Sequence, residues 1–309
     1  MDTKSHLLTL LDWDASQIQQ SINLAIELKS NLKSSGPETS RQGRTIAMYF
    51  EKPSLRTIST FQIGITQLGG NSIQLNPQSI GLGTREPVED VARCVGRWAD
   101  CLVIRCFDQS LVEDFAKFSG IPVINALTDD FHPCQALALG QTIQEHLGAL
   151  NGKTVTFVGD GNNVANSIGI MCAKLGMHFK LACPNGYEQS ARIISEINNL
   201  NKVSGGSYER YDNAQDAVKT TDLIYTDVWA SMGQEEEQVE RAKIFMPFQV
   251  NDELIAIAGP DCLVTHCLPA HRGEEISASV MDMAKNVCFD EAENRLHAQK
   301  AVMKLLIQK

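Results

Sequence analysis

Along the chain, short runs of nearly unbroken apolar residues alternate with longer stretches in which apolar positions recur every three to four residues. The short runs read as strands buried on both faces, the longer ones as amphipathic helices. The pattern predicts a helix over 16–32, carried by Ile18, Ile22, Leu24, Ala25 and Leu28, then a strand over 45–50 (TIAMYF) and a helix over 54–68. Further strands are predicted over 72–75, 101–105, 122–125, 154–158, 179–183, 223–226, 263–267 and 287–289. Helices are predicted over 86–98, 110–118, 132–147, 164–175, 188–200 and 291–307. Strands alternating with helices imply an α/β fold with parallel sheets flanked by helices. The segment GALNGK at 148–153 breaks a helix just before a strand, so a domain boundary is expected after residue 147.

Composition narrows the class. At about 100–200 residues per domain, 309 residues make two domains. A formal charge of −10 argues against a sequence-independent grip on nucleic acid or on an anionic membrane. It leaves room for a small anionic substrate held in a local basic pocket. The nine cysteines are odd in number and contain no Cys-x-x-Cys pair, so they read as small buried hydrophobes and not as a disulfide framework. The opening MDTKSHLLTLLDWD shows no secretory pattern, and no apolar run is long enough for a membrane span. A soluble cytoplasmic enzyme is the expectation.

Candidate chemistry gathers where strands end. Ser54, Leu55, Arg56 and Thr57 lie where a buried strand gives way to a helix. A helix N-terminus presents outward N–H groups and partial positive charge to an anion. Ser54 and Thr57 add hydroxyls, and Arg56 adds a fork of donors matched to phosphate oxygens. The plainer reading makes Ser54 a cap and Arg56 a solvated residue. Arg105 ends the apolar strand CLVIR, and ligands of open α/β sheets bind outside the carboxyl ends of strands. His132, Pro133, Cys134 and Gln135 open a helix with Pro at its first position. His132 and Gln135 share one face and can hold a carbonyl oxygen as negative charge builds on it.

The second half offers three more strand ends. GDGNNV at 159–164 resembles the start of a dinucleotide fingerprint, but Val164 stands where its third glycine belongs. LACP ends the next strand where a ribose-binding acid is expected, so a nicotinamide dehydrogenase is disfavoured. Asn162 or Asn163 remains able to donate to a ligand carboxylate. Asp227 follows a strand and can receive a substrate ammonium group, with an N-cap as the plainer role. His266, Cys267 and His271 raise the question of zinc, but nothing else has ligand spacing, and neither metal nor cofactor is expected. No G-x-S-x-G elbow supports a hydrolase.

Taken in order, the blocks EKPSLRT, LGG (68–70), EPVEDVARC, VIRCF, INALTDDFHPCQALA, VGDGNNVANS, YTDVWASMGQEEE, HCLPAHRGEE and FDEAENRLHAQKAV run from residue 51 to 302. In these blocks the chain resembles the aspartate/ornithine carbamoyltransferase family. DVWASMG at 227–233 resembles its ornithine branch. The resemblance implies a carbamoyl phosphate-binding domain over 1–147, an amino-acid-binding domain over 148–290, and a C-terminal helix over 291–309 that returns to the first domain. It implies transfer of a carbamoyl group from carbamoyl phosphate to ornithine, within arginine metabolism, by a homotrimer or a multiple of trimers. Carried over by position, Ser54, Leu55, Arg56, Thr57, Arg105, His132, Pro133, Cys134 and Gln135 resemble the carbamoyl phosphate site. Gln78 resembles a residue lent by a neighbouring subunit, and Arg295 one that closes over the phosphate. Asn163, Asp227, Ser231 and Met232 resemble the ornithine site, and Cys267 with Leu268 the lining of the reaction centre. Arg56, Arg105, His132, Asp227 and Cys267 are the residues expected to carry the catalysis.

Several positions depart from the family pattern. Leu55, Ile58 and Gln62 stand where the family usually has Thr, Arg and Glu; Leu139 replaces a frequent Asp, and Thr84-Arg85 an Arg-Gly pair. Ile58 and Gln62 are i and i+4 on one helix, so an ion pair is lost without an orphan charge. Leu55 removes a hydroxyl from the phosphate loop but keeps a backbone N–H, so weaker carbamoyl phosphate affinity is expected. A sister enzyme acting on putrescine or N-acylated ornithine, and a catalytically silent homologue, are the alternatives.

Overall fold

The computed structural model describes residues 6–230 and 237–308. The chain divides into unit 1, residues 1–141 with 293–309, and unit 2, residues 142–292. Unit 1 begins with α1 (Ala15–Ser35), β1 (Thr45–Phe50), α2 (Leu55–Gln67), β2 (Asn71–Leu75) and α3 (Pro77–Ile80). It continues through α4 (Val88–Trp98), β3 (Cys101–Arg105), α5 (Gln109–Ser119), β4 (Val123–Leu127) and the start of α6 (Pro133–Leu147). Unit 2 comprises β5 (Thr154–Val158), α7 (Asn163–Lys174), β6 (His178–Ala182), α8 (Ala191–Ser204), β7 (Ser207–Tyr211), α9 (Ala214–Ala217) and β8 (Leu223–Thr226). Then follow α10 (Gln238–Phe245), α11 (Asp252–Ala258), β9 (Leu263–His266), α12 (Ala278–Met281) and α13 (Cys288–Leu306). The division falls inside α6 and again inside α13.

Among the described residues each unit holds one sheet, in the orders β2-β1-β3-β4 and β7-β6-β5-β8-β9. Every pairing is parallel. The expected α/β class with two helix-flanked parallel sheets is what the chain adopts. Strands β3 and β4 are buried at every position, which is why their residues are mostly apolar. In each sheet the strand order reverses once, between β1 and β3 and between β5 and β8. Such reversals open a crevice at the carboxyl ends of the strands.

Two expectations need correction. Residues 287–289 form no strand. Val287 N–H donates to the Val264 carbonyl at 2.8 Å, giving one isolated bridge beside β9, and α13 starts at Cys288. Strand β7, SYERY, escaped notice because it is an edge strand and none of its positions is fully buried.

The C-terminal part of α13 packs within unit 1. Ala301 joins Ala25 and Leu28 of α1 in one apolar cluster. Gly64 of α2 lies so close that an added Cβ would sit 3.0 Å from Met303 and 3.1 Å from Lys300. Lys29 and Gln141 both donate to Asn294 Oδ1, at 2.7 and 2.9 Å. This helix therefore carries Arg295 back to the first sheet's residues, as expected of a returning C-terminal helix. Seven of the nine cysteines are buried and all are free. No helix among the described residues is long and apolar enough to cross a membrane.

Candidate active site

Unit 1 places its candidates around the β1/β3 reversal. Ser54 is the N-cap of α2, and its hydroxyl accepts the Thr57 N–H at 3.2 Å. The cap fixes the first turn of α2, to which Leu55, Arg56 and Thr57 belong. Thr57 is buried, and its hydroxyl faces two guanidiniums: Arg105 Nη1 at 3.5 Å and Arg295 Nη2 at 3.1 Å. Arg295 also donates to the Gln135 side-chain carbonyl. Arg105, Arg295, His132 and Gln135 are all buried. Two positive charges thus converge in a desolvated place, a stable arrangement when a dianion such as phosphate binds between their donor forks.

The field of that cluster is visible at His132. Burial, then Arg295, then Arg105, hold its pKa well below the usual 6.5. The imidazole is neutral at working pH and offers an N–H without giving away a proton. Thr128 positions the HPCQ turn: its N–H donates to the Phe131 carbonyl at 2.8 Å and its hydroxyl to Gln109 at 2.8 Å. Pro133 is the first residue of α6, and Cys134 donates its S–H to the Asn125 carbonyl at 3.5 Å. Arg56 is half-buried in the first turn of α2. Leu55 stands apart with a side chain 79 % exposed. Gln78 is exposed on α3, on the rim of a cleft of about 230 Å³ that Ile58, Lys52 and Phe50 also line. Leu139 is fully buried, so an apolar residue suits its place in α6.

Sequence reading passed over Lys52. Its side chain is 3 % exposed, pairs with Asp129 and lies 4.2 Å from the centroid of the Phe107 ring. Beside it, Glu51 accepts the Phe107 N–H at 3.3 Å and the Tyr49 hydroxyl at 2.9 Å. These contacts stitch together the loops after β1, β3 and β4, next to Ser54, Arg105 and His132. Only burial betrays the role, since a Lys beside a Glu and a Pro in sequence reads as solvated.

Unit 2 places its candidates around the β5/β8 reversal and at the neighbouring end of β9. Asp227 is buried and accepts three hydrogen bonds: from Cys267 Sγ at 2.7 Å, from Val228 N–H at 2.8 Å and from Asn162 Nδ2 at 2.9 Å. Asn162 holds Asp227 and also caps α7 by accepting from Val164 and Ala165 N–H. Asn163 is the first residue of α7 and accepts the Ser167 hydroxyl on its carbonyl at 3.0 Å. Ser231 and Met232 lie outside the described residues. The glycine of GDGNN has a steric role: a Cβ on Gly161 would sit 2.5 Å from Gln189 N and 2.8 Å from the Tyr187 carbonyl oxygen.

Behind Cys267 stands a buried pair that the sequence did not reveal. Leu268 N–H donates to His266 Nδ1 at 2.8 Å, which puts the imidazole proton on Nε2, facing Glu275 Oε1 at 3.0 Å. Both side chains are fully buried. His271 N–H donates to the same carboxylate oxygen at 2.6 Å. Leu268 has φ 57°, a conformation costly for a residue with a Cβ. The His266 bond helps to hold it. Asp227, His266 and Cys267 do converge closely enough to hold a metal ion, as do His271, Glu274 and Glu275. In the first group, though, the thiol already donates to Asp227 and His266 Nδ1 already accepts from a backbone N–H.

Known proteins resemble this chain along nearly its whole length. The family description "Aspartate/ornithine carbamoyltransferase, carbamoyl-P binding domain" matches residues 5–145, and "Aspartate/ornithine carbamoyltransferase, Asp/Orn binding domain" matches 151–306. The fold and its two strand-end sites thus define an enzyme of the carbamoyltransferase class. An ornithine carbamoyltransferase of Acinetobacter baumannii is 48% identical over 98% of this chain and 96% of its own. One from Thermococcus kodakarensis is 48% identical over 97% and 96%. The solved ornithine carbamoyltransferase of Pyrococcus furiosus superposes with a TM-score of 0.95 at 47% identity, covering 98% of this chain and 96% of that one. The chain belongs to the aspartate/ornithine carbamoyltransferase family.

Proposed function

We propose that this enzyme transfers the carbamoyl group of carbamoyl phosphate to the side-chain amine of L-ornithine, giving L-citrulline and phosphate. The observation that carries the reading is the meeting of Arg105 and Arg295 at the Thr57 hydroxyl, beside a histidine kept neutral by burial and by their charge. Arg56, Arg105, Arg295 and the first turn of α2 hold the phosphate. Neutral His132, with Gln135, donates to the carbonyl oxygen, where negative charge builds as the amine attacks. The amine nitrogen bonds to the carbonyl carbon, the bond to the phosphate oxygen breaks, and the nitrogen sheds a proton.

Asp227 is the anchor for the amino-acid substrate. Its three donors fix the carboxylate in one orientation, and the thiol of Cys267 lies beside the place an incoming amine would take. Asn163, Ser231 and Met232 complete the ornithine side, and Leu268 lines the reaction centre. Positioning and electrostatics supply the rate. Assembly is a trimer or a multiple of trimers, with the exposed Gln78 offered to a neighbouring copy. The nine free cysteines suit a reducing compartment, and we place the enzyme in the cytoplasm.

The test is a carbamoylation assay with ornithine, N-acetylornithine, putrescine and aspartate offered in parallel. Citrulline from ornithine, with no product from the other three, is the expected result. A product from another amine instead would overturn the amine assignment, and no product at all would make the chain a silent homologue.

A further inference from the structure

We propose that Arg241 of α10 is a positioning residue for the amine substrate: it ties together the loops that follow β5, β6 and β8, and so sets where Asp227 presents its carboxylate. The inference rests on the assignment of the amine to unit 2. The Arg241 side chain is only 7 % exposed, and its atoms reach all three loops. Nε donates to the Trp229 carbonyl at 2.5 Å, and Nη2 donates to the Asp160 carboxylate. The guanidinium lies 4.9 Å from the centroid of the Tyr187 ring and 5.3 Å from that of Phe245. Phe245 itself meets Tyr187 edge-on at 4.7 Å and stacks on Trp229 at 6.1 Å.

The anchors sit next to the site. Trp229 lies two residues after Asp227. Asp160 lies two residues before Asn162, whose amide donates to Asp227. Between Asp160 and Asn162, Gly161 is wedged against the backbone of 187–189 and donates its N–H to the Tyr187 carbonyl at 2.8 Å. A shift of either loop therefore reaches Asp227 through short, stiff stretches of backbone. A lysine could not do this work. A planar guanidinium can donate along two directions in its plane while stacking its faces on rings, whereas an ammonium is a point charge. Asp160 depends on the same cation. Burial raises its carboxyl to about 6 even with Arg241 beside it, and Arg241 is the partner that favours its ionised form.

The test measures KM for ornithine, KM for carbamoyl phosphate and the thermal midpoint in Arg241→Met, Arg241→Lys and the double variant Arg241→Met with Asp160→Asn. In Arg241→Met the ornithine KM rises at least tenfold while the carbamoyl phosphate KM stays within twofold. Arg241→Lys recovers part of the thermal midpoint and little of the KM, because it restores charge without the bridge. The double variant removes the uncompensated carboxyl, so it regains thermal midpoint while its ornithine KM stays high. Two results would overturn the proposal: both KM values moving together with stability, or a normal ornithine KM in the double variant. Wild-type turnover is measured first and judges the substrate assignment separately. Should the wild type carbamoylate another amine, the same comparison is made with that amine.

Discussion

The two units solve one problem with opposite electrostatics. In unit 1 the strand ends gather positive charge, Arg105 and Arg295 meeting at Thr57, and the resident titratable group, His132, is driven neutral. In unit 2 the strand ends gather a carboxylate, Asp227, surrounded by neutral donors from Cys267, Val228 and Asn162. In the proposed reaction the first set of groups takes an anion and the second an ammonium, and each carries the complementary charge. The supporting device is the same in both. One buried cation, Lys52 or Arg241, reaches across several strand-end loops to a carboxylate and an aromatic ring. The loops differ in chemistry and share a method of being held still.

The largest effect is expected at the centre of the positive cluster. Arg105→Met removes a guanidinium aimed at the anion, and kcat/KM falls about 10²–10³-fold, or roughly 3–4 kcal/mol. Steady-state carbamoylation of ornithine checks it, and a loss below tenfold would break the contrast between the units. Lys52→Met comes next. Its partner Asp129 is 60% exposed and can return to water, so stability falls by only about 1 kcal/mol. The carbamoyl phosphate KM nevertheless rises about fivefold to tenfold (about 1–1.4 kcal/mol of binding). The ornithine KM holds, mirroring Arg241→Met.

Leu55→Thr is a smaller change in the opposite direction. The leucine side chain is exposed, and a hydroxyl there adds a donor at the first turn of α2. Carbamoyl phosphate affinity improves about twofold to fivefold, within the roughly 0.5–1.5 kcal/mol of one hydrogen bond. No gain in a competition titration would mean that the family's missing hydroxyl is unimportant here. The smallest effect is a silence. His132 stays neutral in the fold, so its imidazole resonance, assigned with His132→Gln, does not titrate between pH 7.5 and about 6. In the unfolded chain the same group takes a proton below its ordinary 6.5. Its contribution to stability is therefore full above that value and shrinks as pH falls, by up to about 1.4 kcal/mol per pH unit. A resonance that titrates near 6.5 would contradict a His132 that is both desolvated and beside two guanidiniums.

How much of this was legible in the sequence depended on whether a role was local. Strands β3 and β4 were plain because burial on both faces forces mostly apolar runs. Strand β7 was not, because none of its positions is fully buried and SYERY carries no apolar run, and 287–289 misled because three apolar-looking residues fit a helix start as well as a strand. The site residues Ser54, Arg56, Arg105, His132 and Asp227 stood out because each sits where a strand ends or a helix begins, in a short contiguous motif. Lys52, Arg241 and Glu275 did not stand out. Their meaning comes from burial and from partners far away in sequence: Asp129, Asp160 and His266. Arg241 in QVERAKIF has the look of a charge on a solvated helix.

The division of labour between the units is tested most directly by calorimetric titration with inorganic phosphate, the anion that the proposed reaction releases. Wild type, Arg105→Met and Asp227→Asn are compared. The account predicts that Asp227→Asn binds phosphate as the wild type does, while Arg105→Met binds it at least 100-fold more weakly. Wild-type affinity in Arg105→Met, or loss of phosphate binding in Asp227→Asn, would contradict it.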